Sequence, residues 1–111
     1  MPVITSFDAY EKCVDSVFHL ASLGRPDIKL TLVQALKKHD DETQLSFSLL
    51  FQGPEELFPQ GSYTFRHEQM KEVELFLVPV RFKKGIGFQY EAVFNLLKEE
   101  TDAEDFASPS A

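Results

Sequence analysis

Apolar and polar positions alternate along three aromatic-rich stretches, Leu45–Gln52 (LSFSLLFQ), Glu72–Phe82 (EVELFLVPVRF) and Gly87–Leu97 (GFQYEAVFNLL). They hold six of the eleven phenylalanines. A period of two gathers side chains on one face of a strand and scatters them around a helix. In the first stretch Leu45, Phe47, Leu49 and Phe51 alternate with Ser46, Ser48 and Gln52, with Leu50 the exception. In the last, Phe88, Tyr90, Ala92, Phe94 and Leu96 alternate with Gln89, Glu91, Val93, Asn95 and Leu97. The middle stretch is apolar on both faces through Phe76–Val78, which predicts a strand that is central or covered on both sides. Pro79 within it marks a bulge or an edge position.

The remaining elements follow the same rule. Ile28, Leu30, Leu32 and Leu36 alternate with Lys29, Thr31 and Lys37, interrupted by Gln34, and predict a strand. The polar cluster Lys37–Thr43 (KKHDDET) reads as the hairpin loop after it, and Lys83–Gly87 (KKGIG) as a second one. Gly53–Pro54 opens a longer loop that closes on Pro59-Gln60-Gly61, where Gly61 can take a positive φ. Tyr63 and Phe65 then alternate with Ser62, Thr64 and Arg66, up to a polar bend at His67–Lys71. At the start, Thr5 and Asp8 resemble a capping box, and Phe7, Tyr10 and Val14 share a helical face. Ser16–Ala21 (SVFHLA) reads two ways: Val17, Phe18 and Ala21 continue the helical stripe, while β-branched and aromatic residues suit a strand. The balance favours a helix over about residues 6–13 followed by a strand.

The expected fold is therefore mainly β. About six antiparallel strands curl into a small barrel or roll, and the N-terminal helix plugs one open end. The alternative is an α+β arrangement with a longer N-terminal helix on an antiparallel sheet. Residues 1–97 form the single domain, and residues 98–111 an acidic, disordered tail.

Composition narrows the function classes. A chain of 111 residues with 43% apolar content is one globular domain. Cys13 stands alone, which excludes an intrachain disulfide and a cysteine-rich zinc site. The start MPVITSFDAY lacks the basic and apolar runs of a secretory signal, and no stretch suits a membrane helix, so a cytoplasmic location is expected. The net charge of −7 is concentrated at the end, where Glu99, Glu100, Asp102, Glu104 and Asp105 face only Lys98. The densest basic group, Arg81, Lys83 and Lys84, is too small for a nucleic-acid surface.

Candidate chemistry is thin. His19, His39 and His67 show no metal-ligand spacing, although His39 with Asp40 or His67 with Glu68 could converge on a metal. Cys13 has no cationic neighbour on its helical face, so a semi-buried thiol is expected. Glu55/Glu56 and Asp40/Asp41/Glu42 read as solvated loop carboxylates. Gly85-Ile86-Gly87 lacks the third glycine and the helix of a phosphate loop. No catalytic, cofactor-binding or metal residue is assigned. Tyr63, His67, Glu91 and Asn95 are the candidate interface residues. Glu91 and Asn95 earn this as polar positions on the outer face of an apolar strand.

FSLLFQGP (47–54), FPQGSYTFRH (58–67), ELFLVPV (74–80) and YEAVFN (90–95) together resemble a small bacterial domain family of unknown function. The resemblance spans about residues 5–97 in order. It implies a setting, since such domains are often encoded near phage-tail or tail-collar-like proteins, and it carries over no catalytic residues. The expected function is a non-enzymatic interaction or structural accessory module, binding a protein partner or another copy of itself. No nucleic acid, membrane or cofactor is expected. The alternatives are a barrel holding a small apolar ligand, and an enzyme built from dispersed residues such as His67, Tyr63 and Glu91.

Overall fold

The computed structural model describes residues 6–25 and 27–98. The acidic tail lies outside them except for Lys98, and so does Thr5. Helix α1 (Phe7–Glu11) is capped by Ser6, whose side chain accepts the Ala9 N–H at 3.2 Å. The cap is thus one residue later than the expected Thr5–Asp8 box. Phe7 and Tyr10 turn inward from the helix. Asp15 then takes a φ of 73°, which no helix can continue. Its N–H donates to the Leu32 carbonyl at 2.6 Å, and the Leu32 N–H donates to the Ser16 carbonyl at 3.1 Å. These bonds deliver the chain into strand β1 (Val17–Leu20), where exposed and buried residues alternate. The segment that read two ways is a strand.

Five more strands follow: β2 (Lys29–Asp40), β3 (Gln44–Gln52), β4 (Gly61–His67), β5 (Lys71–Lys83) and β6 (Gly87–Leu97). All pair antiparallel and close into a barrel in the order β1-β2-β3-β6-β5-β4. The architecture is the mainly β barrel that the alternation predicts. Among the described residues, no helix is long and apolar enough to cross a membrane.

Two local expectations change, and a third holds in one of its two forms. Lys37–Thr43 is mostly strand rather than loop: β2 runs to Asp40, and Asp40 pairs with Leu45. Only residues 41–43 turn, because Asp41 Oδ1 accepts the Thr43 and Gln44 N–H groups at 2.8 and 2.9 Å. The polar residues mislead because this hairpin is solvated and needs no apolar alternation. Strand β5 is central, paired with β4 and β6, and its register shifts at Pro79/Arg81 as the proline suggests. Yet its outer face is not covered, since Phe76 is 52% exposed. Gly61 opens β4 without a positive φ; Gly24, Gly85 and Gly87 have one.

Strands β3 and β4 cannot be joined by a hairpin, because β6 and β5 lie between them. Residues 53–60 therefore cross one end of the barrel and bury Phe58 there. The Tyr90 hydroxyl holds this crossing by accepting the Phe58 N–H at 2.9 Å. At the other end β5 and β6 part, pairing only from Val78↔Glu91 to Lys83↔Gly87. Helix α1 plugs that end. Phe7 meets Phe47 edge-on at 5.3 Å, and Tyr10 lies 5.7 Å from Phe94. Between the two stoppers, Phe18, Phe51, Phe65, Leu32, Leu49, Val73 and Leu75 are almost wholly buried. Each contributes roughly 1.5–3 kcal/mol by leaving water.

Candidate interaction face

Parity along each strand decides which side chains go inward. On β4, Tyr63, Phe65 and His67 alternate with Ser62, Thr64 and Arg66, and all three are buried. The Tyr63 hydroxyl donates to the Pro59 carbonyl, fastening the crossing loop. His67 packs against Phe18 with ring centroids 4.4 Å apart and the rings tilted by 39°. Its Nδ1 accepts the Gln69 and Met70 N–H groups at 3.0 and 3.2 Å. The proton therefore sits on Nε2, which donates to Ser16 Oγ at 2.7 Å. The Ser16 hydroxyl passes the chain on by donating to the Cys13 carbonyl. Burial pushes the His67 pKa below the ordinary histidine value, so the neutral ring is favoured.

This linkage orders a junction between the end of α1 and the β4–β5 turn. The Ser16 proton goes to a carbonyl, so His67 does not act as its base. Cys13 Sγ lies 4.0 Å from His67 Nδ1 and donates to Gln69 Oε1 at 3.6 Å. Burial pushes its thiol pKa up, which disfavours the thiolate. His39 bonds Asp41 in the β2–β3 turn at 2.7 Å. Among the described residues, no three His, Cys, Asp or Glu side chains gather as a metal-binding group.

The outer surface of β2, β3, β6 and β5 is different. Register places Gln34, Leu50, Glu91 and Val78 in one row across the four strands. Leu36, Ser48 and Val93 form the next row, and Phe76 follows two residues before Val78 on β5. Leu36, Val93, Phe76 and the bulge residue Val80 are each 47–53% exposed. Leu50 and Val78 are half-buried between them. Gln34, Leu36, Lys38, Ser48, Leu50, Val80, Arg81 and Glu91 line a trough of about 320 Å3 along this face. Lys38, Arg81 and Glu91 form no ion pair among the described residues. The face thus combines an apolar surface with charges that no described residue pairs.

Of the four residues singled out from the sequence, Glu91 and Asn95 lie on this face. Ser46 Oγ donates to Asn95 Oδ1 at 2.9 Å. Tyr63 and His67 point into the barrel, so they are core residues and not part of an exposed interface. Nor do His67, Tyr63 and Glu91 meet: the first two share the inner face of β4, and Glu91 stands on the outside of β6. Gln89 keeps the outward parity of Glu91, yet it is only 4% exposed, with its Nε2 donating to Gln52 Oε1 at 3.0 Å. Sequence reasoning missed Leu36, Phe76 and Val80 as surface residues, while Val93 already stood at the outward parity of Glu91 and Asn95. Phe76 and Val80 share the parity of Glu72 and Glu74, which was their signal. Leu36 shares that of Leu30 and Leu32, and it turns outward only because the register of β2 shifts between Leu32 and Gln34. Inside the barrel, the space beside Leu20, Ile28, Phe58, Tyr63 and Tyr90 amounts to about 10 Å3.

A family model described as a domain of unknown function (DUF6916) matches residues 5–94. No curated protein and no solved structure matches the chain.

Proposed function

The chain belongs to the DUF6916 family of domains of unknown function, and we propose that it is a non-enzymatic protein-interaction module that binds through the outer face of β2, β3, β6 and β5. One observation carries this reading: Leu36 on β2, Phe76 and Val80 on β5, and Val93 on β6 stand about half exposed on the same outer face as Glu91. An apolar side chain gains roughly 1.5–3 kcal/mol when a partner removes it from water, and a contiguous exposed apolar patch is a common mark of such a surface. The space of about 10 Å3 inside the barrel speaks for the surface rather than an enclosed apolar ligand. The resemblance of four segments to domains encoded beside phage-tail and tail-collar-like proteins supports a tail-like assembly as the setting, with the chain as a structural accessory.

The test is a comparison of the wild-type chain with Val93→Glu as bait in an extract of its own host. The reading expects a stoichiometric partner for the wild type and its loss in the variant, with both chains melting alike. Equal recovery by the two chains overturns this face as the binding surface.

A further inference from the structure

Resting on that reading, we propose that the partner is a second copy of this chain, docked face to face about a two-fold axis that passes between Arg81 and Glu91. A two-fold interface uses the same patch on both copies, so the patch must complement itself. This one does. On the outer face Arg81 stands opposite Gln89, and Glu91 lies two residues further along β6, opposite Val78. Strand spacing and rise put their Cα atoms roughly 8 Å apart, and neither has an ion partner among the described residues.

A two-fold axis midway between them exchanges their positions. Each Glu91 then faces Arg81 of the other copy, and two ion pairs form. Val78 and Val80 lie beside the same axis and meet their own counterparts. A foreign partner would need complementary charge for either residue, but nothing would require both signs side by side.

Shape agrees. A twisted sheet is a saddle, so two copies crossed near a right angle nest, as in orthogonal sheet packing. The barrel closes on six strands, so about three neighbouring strands meet one partner. At about 4.8 Å spacing and about nine residues each they present a footprint on the order of 400 Å2 per copy, the scale of a weak, concentration-dependent dimer.

Charge reversal tests the pairing by sedimentation equilibrium of the full chain. The wild type is expected to dimerise. Arg81→Glu and Glu91→Arg each place like charges together and should raise the dimer Kd roughly tenfold or more. An equimolar mixture of the two variants should dimerise again as a heterodimer, and so should the double variant alone. Circular dichroism of each variant guards against misfolding. A monomeric wild type overturns the proposal, and so does a dimer indifferent to both reversals. If the wild type is monomeric while Val93→Glu loses a foreign partner, self-association fails and the interaction face stands. If neither a dimer nor a partner depends on the face, both fail.

Discussion

His67 is the residue whose surroundings carry the clearest physical consequence. Its buried, neutral ring accepts two backbone N–H groups and donates to Ser16. Burial is the main cause of its lowered pKa; His19 adds to it and Glu68 opposes it. The unfolded chain, with an ordinary pKa of about 6.5, therefore takes up the proton before the folded one does. Stability is full above that pH and falls as the pH drops through about 6.5 towards the lowered folded value. Urea melts between pH 5 and 8 check this: His67→Gln should remove the slope, and an unchanged slope would assign it elsewhere. Ser16→Ala leaves the Nε2 donor without its partner and should cost about 1 kcal/mol at neutral pH, read by the same melts. The sequence reading set His67 in a polar bend, although it continues the alternation of Tyr63 and Phe65 and ends β4 facing inward. Its partners were not legible, because Cys13 and Ser16 approach only once Asp15 reverses the chain.

Elements were legible where one face is buried and obscure where neither is. The alternation in β3 and β6 marks their inward residues directly, although the outward-facing Gln89 is buried as well. The far half of β2 is solvated, so its polar run looked like a loop although it pairs to Asp40. The crossing loop 53–60 depends on contacts that only the assembled barrel supplies. Tyr90→Phe removes the acceptor of the Phe58 N–H, so it should cost about 1–2 kcal/mol and speed hydrogen exchange at Phe58. Unchanged exchange would mean that the loop is held by packing alone. The β5–β6 hairpin joins the same loop at Gly87, whose φ is 141° and whose added Cβ would fall 2.3 Å from the Gly53 carbonyl oxygen. Backbone cannot give way there as a flexible side chain would. Gly87→Ala should destabilise by about 3 kcal/mol or more in chemical denaturation, and a loss under 1 kcal/mol would refute that close approach.

At the scale of the molecule, the barrel keeps its aromatic interior for stability and leaves its chemistry outside. Both ends are stoppered, one by α1 and the other by the 53–60 crossing. The fold class was legible because alternation, short links and Phe spacing agree. The face was not, because strand order sets which outward residues become neighbours. Leu36 and Val93 are 57 positions apart in sequence and come together only because β3 lies between β2 and β6. In the ring order, β1 stands opposite β6, which makes its outward residue Val17 the natural control. The most direct measurement places a photo-reactive amino acid at Val93 or at Val17 in the full chain and irradiates it in its own host. The account predicts one dominant cross-linked product from position 93, with the chain itself as partner, and none from position 17. Equal labelling from both positions, or no product from position 93, would contradict it.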